Sequence, residues 1–131
     1  MADTVKIFVN VPVAPLTRAL DGRVFDNPVN TLLAAIGSLS SRGVGVIGNY
    51  DNVSFTFASG MGRYRAIPGS GAQPTAGEIG QVHSEEEVAV AFTAPKSELA
   101  TVIATIRDNH PYEMPGIDVF ELVRFEGDGL G

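Results

Sequence analysis

Apolar residues recur at every second position from Val5 to Val13. Val5, Ile7, Val9, Val11 and Val13 share one side of an extended chain, with Lys6, Phe8, Asn10 and Pro12 on the other. This pattern predicts a strand over 5–13 with one fully buried face and one mixed face. The period then changes. Asn27-Pro28 pairs a capping residue with proline at a first helical position. Val29, Leu32, Leu33, Ile36 and Leu39 follow at helical spacing, and Ser40-Ser41-Arg42-Gly43 ends the run. Both signals return later. Residues 87–94 (EVAVAFTA) read as a strand, Pro95 as a helix start, and Leu99, Val102, Ile103 and Ile106 as a second apolar stripe. Pro111 stops that helix near Asn109, because the residue before proline is biased away from helical dihedrals. Residues 117–125 (IDVFELVRF) read as the last strand, and EGDGLG as a frayed tail.

Between these elements the patterns are weaker. Residues 14–27, punctuated by Pro15 and Asp21-Gly22, read as a loop with one helical turn around Leu16–Leu20. Ten of the 15 glycines lie from Gly37 to Gly80. Within that stretch Val53–Phe57 and Arg63–Ile67 alternate, and Ala58-Ser59-Gly60-Met61-Gly62 between them has hairpin chemistry. Residues 68–80 hold too many Pro and Gly for a regular element. Glu85-Glu86-Glu87 reads as a solvated turn before the next strand.

The order is strand, helix, two hairpin strands, strand, helix, strand. Two βαβ halves with both helices on one face of an antiparallel sheet make an α+β, ferredoxin-like arrangement with an added β-hairpin. A flavodoxin-like parallel sheet would need more strand–helix alternations. A chain of 131 residues is the size of one domain, so 1–131 is expected to form a single unit with its own core.

Composition narrows the chemistry. With no cysteine, disulfides, thiolate catalysis and cysteine metal sites are excluded. The net charge is -6 and the nine basic residues are scattered, which disfavours nucleic acid as a partner. No apolar stretch is long enough to span a bilayer, and MADTVKIFVN lacks the layout of a secretory signal, so a cytoplasmic location is the expectation.

Three segments carry a resemblance: GVIGNYDNVSF from Gly45 to Phe55, GMGRYR from Gly60 to Arg65, and HPYEMP from His110 to Pro115 with Asp118-Val119 beyond it. In this order and spacing they resemble the CutA-like domain inserted in YqfO-type, NGG-interacting-factor-like proteins, a domain that also occurs alone. The HPYE-x-P segment is similar to one in the CutA divalent-cation tolerance proteins. The resemblance spans residues 5–13 and about 44–123. It implies a ferredoxin-like fold of the PII/CutA class, commonly assembled as a homotrimer with sheet edges meeting across subunits. In YqfO-type proteins the metal-binding residues belong to a separate surrounding domain, so their dinuclear metal site is not carried over. Residues 14–43 depart from the family pattern, with a longer loop before the first helix.

Each motif admits two readings. His110 and Glu113 suit a divalent metal or a ligand, yet Pro111 and Pro115 also bracket a sharp helix exit that His110 caps and Tyr112 anchors. His83 is the only other histidine, so a histidine cluster would need a subunit interface. Asn49 and Asp51 could hold a polar ligand, or Gly48-Asn49 could simply turn the chain while Tyr50 packs. Arg63 and Arg65 after two glycines could bind an anion, or could point outward from a hairpin; the pattern is not a Walker loop. The candidate ligand-binding residues are therefore Asn49, Tyr50, Asp51, Arg63, Arg65, His110, Tyr112 and Glu113, with His110 and Glu113 as candidate metal donors. No nucleophile-elbow or zinc-protease spacing occurs, so no catalytic residue is assigned. The expectation is a non-catalytic oligomeric binding or regulatory module. Its alternatives are a structural or protein-interaction module and a divalent-metal-binding protein or metal-dependent hydrolase.

Overall fold

The computed structural model describes residues 3–57 and 59–123. The elements run β1 (Thr4–Pro12), β2 (Leu16–Thr17), β3 (Val24–Phe25), α1 (Pro28–Gly37), β4 (Phe55–Thr56), β5 (Gly60–Tyr64), β6 (His83–Pro95), α2 (Leu99–Asp108) and β7 (Ile117–Leu122). β1 lies at the centre, antiparallel to β6 on one side and to β7 on the other. β4 and β5 both pair antiparallel with the far edge of β6. With α1 after β1 and α2 after β6, each half is a split βαβ unit, and the fold is the expected ferredoxin-like one.

The core forms on one face of the sheet. Val5, Ile7, Val9 and Val11 stand opposite Ala94, Phe92, Val90 and Val88 in register. Leu32 and Ile36 of α1 and Val102 and Ile106 of α2 cover them. α1 starts where the sequence predicts, because the Asn27 side chain accepts the Asn30 N–H and Pro28 occupies the first turn. α2 starts one turn later than Pro95 suggests. Lys96–Glu98 first form a 3₁₀ turn, and Asn109 closes the helix.

Three expectations are corrected. Residues 16–25 form a two-stranded ribbon, Leu16 facing Phe25 and Thr17 facing Val24, rather than a helical turn. Asp21-Gly22 turns it, with Gly22 at φ +73°. β4 and β5 do not pair with each other as a hairpin. They lie in line along β6, Phe55 opposite Ala91 and Gly60 opposite Glu87. The alternating pattern announced strands, but pairing was decided by the longer, more apolar β6. Finally, Glu85-Glu86-Glu87 is not a turn: it belongs to β6, opposite Gly62, Met61 and Gly60. Of the expected last strand, residues 124 and 125 lie outside the described residues, as does the tail.

Candidate functional site

Past the end of β1, β6 continues as a ribbon with β5. Two loops fold against this ribbon: the glycine-rich segment after β5 and the turn between α2 and β7. Between them lies a cleft of about 540 Å³. Ligand pockets usually fall between roughly 300 and 1,000 Å³. Arg63, Arg65, Tyr112 and Glu113 all line it, so the GMGRYR and HPYE segments converge. The third segment does not join them. Asn49, Tyr50 and Asp51 line a separate shallow depression beside Ser40 and Ser41. There Ile47 and Tyr50 exchange both backbone hydrogen bonds across Gly48-Asn49, with Gly48 at φ +56°, as a hairpin turn of the II′ kind requires. Asp51 accepts from the Asn52 amide, and Asn52 packs against Gly37 of α1, where a Cβ would collide with it. Tyr50 is 75% exposed at the tip of this turn, so it does not pack there.

His110 is fully buried. Its Nδ1 accepts the Tyr112 N–H at 3.1 Å, which places the ring proton on Nε2, and Nε2–H donates to the Asn10 carbonyl at 2.7 Å. Burial pulls its pKa down to about 4, assisted by the nearby Arg18 guanidinium and partly opposed by the bond to Asn10. The ring is neutral at pH 7 and ties β1 to the turn. Glu113 Oε1 meanwhile accepts the Gln73 N–H. The expected metal pair is thus not assembled: both His110 nitrogens are committed inside the fold. Among the described residues no group of three His, Asp or Glu side chains converges to hold an ion.

Tyr112 faces the ribbon. Its hydroxyl donates to Glu87 Oε2 at 2.8 Å, and its ring meets Tyr64 edge-on at 5.5 Å. Burial raises the Tyr112 phenol well above its ordinary value, and the Glu87 carboxylate adds to the shift, so it remains a donor at physiological pH. Tyr64 donates to the Ala76 carbonyl, and Arg65 Nε to the Gly80 carbonyl, which hold the glycine-rich loop in place. The Thr75 hydroxyl donates to the Pro111 carbonyl and joins the two walls.

Sequence reasoning passed over the residues that orient the turn. Arg18 of the β2–β3 ribbon is buried, and its Nη1 donates to the carbonyls of Arg107, Asp108 and His110 at 3.3, 3.0 and 3.2 Å. Asp21 holds the other side of the guanidinium at 2.6 and 2.9 Å. Arg23 Nη1 donates to the Asp108 carbonyl as well. Two cations thus cap the C-terminus of α2, where the helix leaves carbonyls unsatisfied and its dipole is negative. The signal was the pair of arginines flanking Asp21-Gly22, in a stretch whose partner lies about 90 residues away.

Residues 79–128 match the family model described as CutA1 divalent ion tolerance protein. A Mycobacterium leprae protein described as a GTP cyclohydrolase 1 type 2 homolog is 33% identical over 134 residues, covering 100% of this chain and 34% of that protein. The chain spans about a third of the length of such curated relatives. A solved Bacillus cereus protein related to NIF3 is similar over 98% of this chain and 28% of its own, with a TM-score of 0.64 and 28% identity. CutA1 from the psychrotrophic bacterium Shewanella sp. SIB1 covers 96% of this chain and 87% of its own, with a TM-score of 0.59. At 11% identity that likeness is one of fold, and the fold is of the CutA-like class.

Proposed function

We propose that the chain is a non-catalytic, oligomeric binding or regulatory module whose ligand site is the cleft between β5, the glycine-rich loop and the Tyr112 turn. The observation that carries this reading is the convergence of Arg63, Arg65, Tyr112 and Glu113 on one cavity of ligand size. The oligomeric part rests on the sheet face that no helix covers. Phe55, Phe57 and Phe120 stand there 61%, 41% and 56% exposed around Phe8. An aromatic cluster of this kind marks an interaction surface, and we propose that copies of this chain, in a homotrimer, cover it. The same cluster supports the alternative of a protein-interaction module without a small ligand. A hydrolase reading draws on the names of longer relatives, and among the described residues no group of three His, Asp or Glu side chains converges to support it.

The test is a thermal-shift screen of the purified chain against divalent cations, nucleotides, amino acids and inorganic anions, with native mass recorded alongside. At a hundred times its Kd, a ligand adds about 2.7 kcal/mol to the stability of the state it binds. The expected outcome is a shift from one compound class that Arg63→Ala removes, in a particle of three chains. A monomer at micromolar concentration would sink the assembly, and the absence of any shift would leave the interaction module as the better reading.

A further inference from the structure

The glutamate triplet of β6 reads as solvated charge in the sequence, but Glu87 is half-buried and lines the cleft. Its Oε2 accepts from Tyr112, while Oε1 has no donor and the carboxylate no ion pair among the described residues. Gly62 makes room for this group, since a Cβ there would collide with both carboxylate oxygens. The environment is negative and aromatic: Glu85 lies two residues along β6, and the Tyr112 and Tyr64 rings pack beside Glu87. A carboxylate with one oxygen free and an aromatic pair beside it is a receptor for a cation, most simply a protonated amine. Two arginines also border the cleft: Arg65 beyond the end of β5, and Arg63, whose place opposite Ser84 sets it on the other face of the ribbon from Gly62 and Tyr64. Arg63 has no hydrogen bond or ion pair among the described residues, and Arg65 uses only Nε, for the Gly80 carbonyl. Neither arginine neutralises Glu87. Ile67, Ala72, Pro74 and Met114 supply an apolar lining.

We infer that the cleft takes a small zwitterion of the amino-acid class, with its ammonium group against Glu87 and its carboxylate toward Arg65. The apolar lining receives the side chain. This rests on the cleft being the ligand site and adds the class of ligand. A simple inorganic anion would satisfy the arginines and leave Glu87 unpaired, whereas a simple amine would do the reverse.

Isothermal titration of the full chain tests it, using L-leucine and L-methionine, then N-acetyl-L-leucine, which lacks the cation, L-leucine methyl ester, which lacks the anion, and inorganic phosphate. We expect a free amino acid to bind, and each blocked derivative to bind at least about tenfold more weakly, as loss of a charge-assisted pair entails. Glu87→Gln keeps an acceptor for Tyr112 and should weaken amino-acid binding by a similar factor, with an unchanged melting temperature showing that the fold is intact. The blocked derivatives give the same information on the unaltered chain should that variant fold poorly. Derivatives that bind as well as leucine, or no binding by either amino acid, overturn the inference. Phosphate binding that depends on Arg65, with no amino-acid binding, would overturn the zwitterion while preserving the cleft as the site. No binding by any probe would remove the zwitterion and count against the cleft itself.

Discussion

Along β1, Val5, Ile7, Val9 and Val11 point at the helices and are at most 1% exposed. One residue out of phase, Lys6, Phe8 and Asn10 point to the side without helices, where Phe57 stacks on Phe8 at 6.0 Å and Phe120 meets it edge-on at 5.6 Å. Both faces are apolar in part, but they do different work. The aliphatic face is closed by α1 and α2 and supplies the stability of the single chain. The aromatic face is left open, and its rings touch one another without being covered. A face closed within the chain and a face left open are distinguished by what packs over them, because the same alternation places side chains on both.

Mutation should separate the two. Phe92→Ala, on the closed face and 1% exposed, is expected to lower unfolding stability by about 3–5 kcal/mol, measured by urea denaturation. A loss below about 1 kcal/mol would mean that the helices do not seal this face as described.

Next in size is a pH effect at the junction of β1 and the Tyr112 turn. His110 has a folded pKa of about 4 against an ordinary 6.5, so the unfolded chain binds the extra proton between those values. Its stabilising contribution is therefore complete above about pH 6.5 and is lost progressively as pH falls toward 4, by about 3 kcal/mol in all. The Asp21 carboxylate, held near pKa 2 chiefly by Arg18 against an ordinary 3.8, loses its contribution mainly below pH 4, under most of that window. His110→Gln should flatten the slope of unfolding free energy between pH 6.5 and 4.5. A wild-type chain of constant stability there would disprove the buried neutral ring.

The smallest effect on folding should come from the open face. Phe57→Ser is expected to change unfolding stability of the isolated chain by less than about 1 kcal/mol, while lowering the mass of the assembly in native mass spectrometry. An unchanged assembly would move the interface elsewhere, to the sheet edges at β7 or β4.

Much of this architecture was legible in the chain. Period-two runs located β1, β6 and β7, period-3.6 stripes located both helices, and Asn27-Pro28 placed the start of α1, since each rests on contacts within a few residues. Pro111 likewise marked the exit from α2, because proline restricts the residue before it in any context. What the chain alone did not reveal were the pairings across large separations. Whether β5 joins β4 or β6, whether Arg18 caps α2, and whether Glu87 is solvated or faces Tyr112 depend on residues 19 to 92 positions apart. Local propensity carries no record of such contacts. Only the packed sheet brings Tyr112 to Glu87, closes both His110 nitrogens inside the fold, and leaves Asn49–Asp51 on a different part of the surface from the cleft.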